Sequence, residues 1–240
     1  RLAHESGGAT GPESDCWMIF HTMAQRSEPW FQLRVDKITG SGARHMLART
    51  KTGFSAQRKD LCLQLACEAA TGLSCEPNFV STAAMLHGEV TEAAARHAYE
   101  ALTGLLVSDC GFIEGEQHLI GAGCSPDGLV EDADGLRGIL EIKCPTTKVF
   151  LGYLSGGILP PAHEAQVIHA MWCAGPEYGQ FVDFFAFDDR LPDGLQTFLW
   201  REWRSEEKIA RHDASVAEFA KEVNLEIASF EALRRGINHG

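Results

Sequence analysis

No run of eighteen apolar residues occurs in the 240-residue chain, so no segment reads as a membrane-spanning helix. Arg1 to Ser14 lack the apolar stretch that a secretory signal needs. They are polar and glycine-rich, and residues 1–15 are expected to be a disordered leader or a remnant of expression. Eight cysteines are present without a close CxxC pair, and the spacing Cys62, Cys67, Cys75 matches no zinc or iron–sulfur pattern. Cys62 and Cys67 fall in an apolar helical context, where a free thiol behaves as a small hydrophobe. Reduced thiols in a cytoplasm are the expectation. Internal repeats and clear linkers are also missing, so residues 16–240 read as a single domain whose core could bury roughly 70–75% of the unfolded surface. Its apolar content of 45% is ordinary for a globular protein.

Positive charge is short as well. The net charge is −12, a poor balance for a protein that acts on nucleic acid. The distribution says more than the sum. Residues 26–60 hold eight basic side chains (Arg26, Arg34, Lys37, Arg44, Arg49, Lys51, Arg58, Lys59) against three acids (Glu28, Asp36, Asp60), giving +5 there and −17 elsewhere. Two readings stand: a solvated basic face paired with acids elsewhere, or a phosphate-binding surface on an acidic body.

Along the chain, residues 17–26 read as a short helix or lead-in, and Pro29 suits the first turn of a helix carrying Trp30 to Arg34. Thr39-Gly40-Ser41 is a break, with Ser41 placed to cap a helix to about Arg49. Arg58 to Ala70 is helical, with Leu61, Leu65 and Ala69 on one stripe and Gly72 as the stop. Thr82 to Leu86 suits a short helix. Gly88 to Leu102 is an alanine-rich helix closed by Gly104, with Glu89 and Glu92 neighbours on one face. Residues 105–121 suit a strand pair and 123–144 a hairpin. Pro160-Pro161 opens a helix through Trp172, Gln180 to Phe187 is strand-like, and Ser205 to Arg235 is a long helix or two. Helices, then a small sheet, then helices suggest an α/β or α+β sandwich.

The chemistry concentrates in Ser125-Pro126-Asp127-Gly128 and Glu141-Ile142-Lys143-Cys144-Pro145. Alternation along a strand puts Glu141 and Lys143 on one face and turns Ile142 toward the core. A hairpin over 129–140 returns Asp127 beside them. Two close carboxylates repel unless a cation lies between them, and hard oxygens suit Mg²⁺, which completes its shell with water and phosphate. A neighbouring lysine can orient one of those waters. Pro-Asp-Gly alone is an ordinary turn and Glu-x-Lys alone an ordinary solvated face. Joined on one hairpin and flanked by apolar strand, they read as a hydrolytic site for phosphodiesters.

These motifs resemble the PD-(D/E)xK nuclease superfamily and, more narrowly, the lambda-exonuclease and YqaJ-like viral recombination exonucleases. The resemblance runs from about residue 28 to 190. It rests on Trp30-Phe31-Gln32-Leu33-Arg34 with Ile38-Thr39-Gly40-Ser41, on Gly88 to Glu92, on the two hairpin motifs, and on Ala165-Gln166-Val167 leading to Met171-Trp172. It implies a restriction-endonuclease-like core, a small central mixed sheet flanked by helices. Asp127 and Glu141 would ligate one or two ions of Mg²⁺ or Mn²⁺, with the Ile142 backbone carbonyl. Lys143 would hold or activate water. Glu92 would serve a second ion or its waters, and Gln166 would touch the water or phosphate. Arg34, Ser41 and Ser125, with Thr39 nearby, match a pocket for a terminal 5′-phosphate. The gap between Asp127 and Glu141 is longer than in the family pattern, which a longer hairpin tip would absorb. Plainer roles stand beside these: Glu92 as a first-turn acid on the helix dipole, Gln166 as a packing amide, Arg34 as a structural ion pair. Trp172 reads as core, and His163 and His169 have no assigned role.

The resemblance thus implies a Mg²⁺-dependent 5′-to-3′ exonuclease on linear double-stranded DNA that leaves a 3′ strand for recombination. It further implies a ring-shaped homotrimer with the 26–60 segment facing the channel, and a single-strand annealing protein as partner. The setting would be the cytoplasm of a bacterial host, with a phage or prophage origin. Two alternatives remain: a structure- or site-specific endonuclease of the same superfamily, which needs no terminal phosphate pocket, and a non-catalytic DNA-end-binding module. An iron–sulfur nuclease is disfavoured, because the last cysteine is Cys173.

Overall fold

The computed structural model describes residues 18–51, 53–75, 83–115 and 120–237. Residues 1–15, expected above to form a leader, lie outside that set. In chain order the elements are β1 (Ile19–His21), α1 (Glu28–Arg34), β2 (Lys37–Thr39), α2 (Gly40–Leu47), β3 (Arg49–Thr50), β4 (Gly53–Phe54) and α3 (Ala56–Thr71). Helix α4 (Ala83–Thr103) precedes β5 (Phe112–Glu114), β6 (Gly121–Cys124), β7 (Gly128–Glu131) and β8 (Arg137–Lys143). Then come α5 (Thr147–Gly156), α6 (Pro161–Cys173), α7 (Gly175–Tyr178), β9 (Phe181–Phe187), β10 (Thr197–Trp203) and α8 (Glu206–Ile237). None of the described helices is long and apolar enough to cross a membrane.

The strands form two small mixed sheets, ordered β1-β5-β6-β2 and β10-β9-β8-β7, and a two-stranded β3-β4 ribbon. In each four-stranded sheet one pair is parallel, β2 with β6 and β8 with β9, and the rest are antiparallel. An isolated bridge pairs Ser108, in the segment between α4 and β5, with Leu129 of β7. The β7–β8 hairpin pairs Gly128 with Leu140 and Glu131 with Arg137. Its tip turns at Asp132, whose carboxylate accepts from the Asp134 and Leu136 amides. Gly135 there holds φ +78°, a left-handed conformation that a glycine takes without steric cost.

Strand alternation sorts β8 and β9 into two cores. Leu140, Ile142, Phe181, Phe185 and Phe187 pack with Ala95 and Tyr99 of α4. Ile139, Val182, Phe184 and Ala186 face the other way, against Val167 and Met171 of α6 and residues of α8. The sheet therefore lies between α4 on one side and α6 with α8 on the other. Gly138 lets β8 approach β9 closely, since a Cβ there would collide with the Phe181 ring.

Buried charge ties the layers together. Asp183, fully buried on β9, accepts from Tyr99 Oη at 2.6 Å and from Arg201 Nε and Nη2 at 2.7 and 2.8 Å. The Arg201 guanidinium also stacks 3.7 Å from the Phe181 ring centroid. On the opposite side, buried Arg58 of α3 pairs with Glu222 of α8 at 2.8 Å and donates to the Met46 carbonyl. This narrows the charge reading. Arg58 is an internal brace and Lys37 pairs with Glu114 at 3.5 Å, while Arg26, Arg44, Arg49, Lys51 and Lys59 are exposed.

Other local expectations also change. Residues 18–26 contain the strand β1, which gains its partner β5 from far along the chain. Helix α2 begins at Gly40 with Thr39 at the N-cap position, so Ser41 lies inside the first turn. The α3 stripe is Arg58, Cys62, Leu65, Ala66 and Glu68, and Ala69 is exposed. Helix α4 runs back through Gly88 to Ala83, absorbing the described part of the short helix expected before it. Among the described residues of 105–121, regular strand is confined to β5 and the first residue of β6, and α5 and β10 were not anticipated. Trp172 is core as expected, with its indole N–H on Asp213 at 3.0 Å. The described cysteines are all free thiols.

Removing one member of the buried trio tests the layer junction. Asp183→Ala leaves Arg201 and Tyr99 facing an emptied buried site, and is expected to cost about 3–5 kcal/mol in denaturant unfolding. A loss under about 1 kcal/mol would show that the trio does not hold α4 to the sheet.

Candidate active site

The hairpin builds the site. The Asp127 amide donates to the Leu140 carbonyl at 3.1 Å, and the Ile142 amide donates to Asp127 Oδ2 at 2.6 Å. This exchange folds the Asp127 carboxylate back toward the end of β8, beside Glu141. Glu141 and Lys143 share a face as alternation requires, while Ile142 is buried against the α4 side. Lys143 Nζ and Gln166 Nε2 both donate to Glu141 Oε1. Gln166 reaches across from α6, where it lies next to Gly40; a Cβ on Gly40 would stand 3.3 Å from Gln166 Cγ. Asp127, Glu141, Lys143 and Gln166 thus converge.

Charge at this corner is under tension. Burial, and then the Glu141 carboxylate, push the Asp127 carboxyl up to about 8. Burial opposes the Lys143 charge, but Glu141 and Asp127 outweigh it and raise that ammonium above its ordinary range. Lys143 is therefore a cation at neutral pH. Two neighbouring carboxylates, one of them driven toward its neutral form, are a donor set that fits a small hard dication. Among the described residues no three Asp, Glu, His or Cys side chains meet closely enough to enclose an ion. Water and backbone oxygen would have to complete the shell.

Glu92 stands apart from this cluster. With Asp127, Ile142, Arg26, Ala93 and Arg96 it lines a cleft of about 280 Å³. Its charge adds to the pressure on Asp127. Asp127 thus borders two clefts, with Glu92 in one and Lys143 and Gln166 in the other.

The larger cleft, about 920 Å³, also contains Arg34, Thr39, Ser41 and Ser125. Ser125 Oγ accepts from Arg34 Nη1 and from Trp30 Nε1, both at 3.0 Å. The Arg34 guanidinium stacks 4.2 Å from the Trp30 ring centroid. Burial pulls it down to about 10, which leaves it charged at neutral pH. Its bond to a neutral hydroxyl, with no carboxylate of the described residues paired to it, argues against the plain ion-pair reading. The Thr39 and Ser41 hydroxyls are 3.2 Å apart at the start of α2. All four residues expected for a phosphate pocket line the same cleft as the acid–lysine cluster.

Sequence reasoning missed the braces. Gln25 Nε2 donates to the Pro126 carbonyl at 2.7 Å and to the Cys110 carbonyl at 3.1 Å, fixing the Ser-Pro-Asp turn. A lone amide gave no signal. His169, without an assigned role above, is wholly buried one turn beyond Gln166. Its Nε2 reaches the Ile38 and Gly123 carbonyls at 3.1 and 3.2 Å, and its Nδ1 meets His212 Nε2 at 3.0 Å. Carbonyls only accept, so Nε2 carries the proton, and a neutral His169 takes a second bond from His212 at Nδ1. Burial holds both rings well below their usual value, His169 at about 4 and His212 at about 3. His163 bonds the Tyr153 hydroxyl at 2.9 Å.

Residues 29–177 match the family described as the YqaJ-like viral recombinase domain. Among solved structures, the chain is similar to LHK-Exo in complex with dAMP, at 34% identity and a TM-score of 0.76, covering 88% of this chain and 100% of that one. A structure of the same alkaline exonuclease from Laribacter hongkongensis matches at 32% identity and a TM-score of 0.75, with equal coverage. A phage related exonuclease from Haemophilus somnus 129PT shares the fold at 14% identity and a TM-score of 0.56, covering 82% of this chain and 98% of that one. No curated protein sequence matches.

The raised Asp127 sets a pH dependence with a definite sign. Its folded value of about 8 lies above the ordinary 3.8, so the stability linked to its neutral form is present below pH 4 and lost as pH rises toward 8. In metal-free protein, Asp127→Asn is expected to raise stability at pH 9 by at least about 1 kcal/mol, roughly 2–4 °C in Tm. The gain should vanish near pH 4. Thermal melts of both proteins across that range check this, and equal melting at pH 9 would refute it.

Proposed function

The chain belongs to the YqaJ-like viral recombinase domain family, and on that premise we propose that it is a Mg²⁺-dependent 5′-to-3′ exonuclease acting on the ends of linear double-stranded DNA. That it is a nuclease of the exonuclease type follows from the family and from the solved relatives. One observation carries the finer reading. The Arg34–Ser125 pocket and the Asp127–Glu141–Lys143 cluster open into one cleft and are joined by the peptide Ser125-Pro126-Asp127. A terminal phosphate held at Ser125 would put a nearby phosphodiester of the same strand beside Asp127. The dAMP in the relative is a nucleoside monophosphate, the kind of product expected when a strand is shortened one nucleotide at a time.

The residues divide the work. Arg34 offers a planar fork of donors to phosphate oxygens, which a lysine would not match. Ser41 and the first-turn amides of α2, which no side-chain cap holds, add further donors to an anion. Lys143, held cationic, can donate to an attacking water or to a non-bridging phosphate oxygen. Gln166 fixes the Glu141 carboxylate and can orient the same water. Asp127 and Glu141 would hold Mg²⁺ with the Ile142 carbonyl, and Glu92 would act through water on the far side of Asp127. When bound, the metal would acidify the attacking water and stabilise charge on the leaving 3′-oxygen. A 3′ single strand would remain for an annealing protein, and a homotrimeric ring would keep the enzyme on its track.

End-labelled digestion tests polarity, end preference and metal need together. Wild type with Mg²⁺ should degrade 5′-phosphorylated linear duplex and spare closed circles; cutting of closed circles would favour the endonuclease alternative. Lys143→Ala should bind DNA yet lose cleavage by about 10²-fold or more. Arg34→Ala should lower the ratio of rates on 5′-phosphate and 5′-hydroxyl ends by about tenfold or more, the worth of a charged hydrogen bond. No end preference in wild type would remove the pocket. A monomeric mass at working concentration would remove the ring.

A further inference from the structure

Two non-glycine residues among those described adopt a left-handed backbone, Arg26 at φ +65° and Asp36 at φ +59°. Asp36 has a local reason. Aspartate tolerates this region, and its amide is held by buried Glu68 at 3.0 Å. Arginine has no such tolerance, and glycine would take the position without strain. Strain of this kind gathers where surrounding structure enforces it for a purpose. Here the enforcement is visible. Gln25 is fastened to the Ser-Pro-Asp turn, and Ser27 closes the other side through its amide and hydroxyl, both on the Ala24 carbonyl. The turn between these anchors carries Arg26 to the mouth of the site.

Arg26 lines both clefts, as Asp127 does. Its guanidinium lies 3.8 Å from Glu92 Oε2, with both side chains about half exposed at 54% and 42%. That distance is beyond hydrogen-bond range, and an exposed ion pair of this kind is weak. Arg96, the other cation in the smaller cleft, bonds Asp109 and the Val107 carbonyl, both at 2.6 Å. Arg26 thus places a cation at the junction of the clefts, lining both the one that holds Glu92 and the one that holds Lys143.

We propose that Arg26 is a second phosphate ligand, separate from Arg34, which exchanges Glu92 for a backbone phosphate of the DNA strand where the two clefts meet. The proposal rests on the nuclease reading above. It explains why a strained arginine stands where glycine would be easier. Releasing Glu92 as the strand arrives would also leave that carboxylate facing Asp127.

The substitution Arg26→Gly separates fold from function, because it removes the side chain and the strain together. Its Tm should equal or exceed that of wild type. On 5′-phosphorylated linear duplex, kcat/KM should fall about tenfold or more, and the slope of log kcat/KM against log salt should flatten by about one. The preference for 5′-phosphate over 5′-hydroxyl should stay unchanged, unlike that of Arg34→Ala. Arg26→Lys should keep the wild-type salt slope. Wild-type kcat/KM and slope in Arg26→Gly, beside an active wild type, would overturn the Arg26 assignment alone. A wild type that leaves linear duplex intact would overturn the nuclease reading and this proposal with it.

Discussion

Two carboxylates and an ammonium share one corner at the end of β8, and the surrounding structure exists to hold them there. The corner is costly. Asp127 and Glu141 repel, and burial weakens the solvation that would ease them. Each charge is therefore fastened by a specific donor: the Ile142 amide for Asp127, and Lys143 with Gln166 for Glu141. The tension remains in the raised Asp127, whose carboxyl leans toward its neutral form in the metal-free protein. A site built this way is unstable by itself, and on the proposed reading a bound cation would complete it, as expected where function is bought with stability.

Holding Gln166 in place falls to α6, and α6 is held by a histidine. His169 ties this helix to β2 and β6 through the Ile38 and Gly123 carbonyls. Those strands lead directly into Thr39 at the start of α2 and into Cys124-Ser125. One buried ring therefore fixes the spacing between the acid–lysine cluster and the proposed phosphate pocket. Neutrality is part of the device. A protonated His169 and a protonated His212 would face each other at 3.0 Å, so the pair can take up at most one added proton, and so one positive charge, without parting. The Asp183 trio does the same work on the other side of the sheet, fixing α4 and hence Glu92.

The hairpin was legible because it depends on local rules. Pro-Asp-Gly marks a turn, and period two along Arg137 to Lys143 settles which side chains share a face. Helices α3 and α6 were legible from their apolar residues and their glycine or proline ends, although Leu65 alone of the expected α3 stripe is buried, and α8 was legible as a long helical stretch. What escaped depends on partners distant in sequence. β1 is three residues whose strand character comes from β5, about ninety positions on. Arg58 looked like surface charge because Glu222 lies 164 residues away. Glu92 was recognisable as an acid on α4, but a helix position alone does not say on which side of a sheet its carboxylate falls. Gln25 and His169 carry no pattern at all, since each acts on backbone carbonyls that are invisible until the fold is assembled.

The peptide from Ser125 to Asp127 bears the most consequence for how such an enzyme would count. Two residues of extended chain span about 7 Å at most, a reach comparable to one nucleotide along a strand. On the proposed reading the first residue of that span faces the terminal phosphate and the last faces the bond to be cut. The step size would then be set by covalent geometry, not by a moving part. Gln25 keeps the span rigid by holding the carbonyl of its middle residue, Pro126. Proline fixes φ at that same residue. A ruler pinned at its centre, with Arg34 at one end and the paired carboxylates at the other, would need no information from base identity. On that reading it would measure position from an end, which is what separates an exonuclease from a site-specific cutter built on the same acids and lysine.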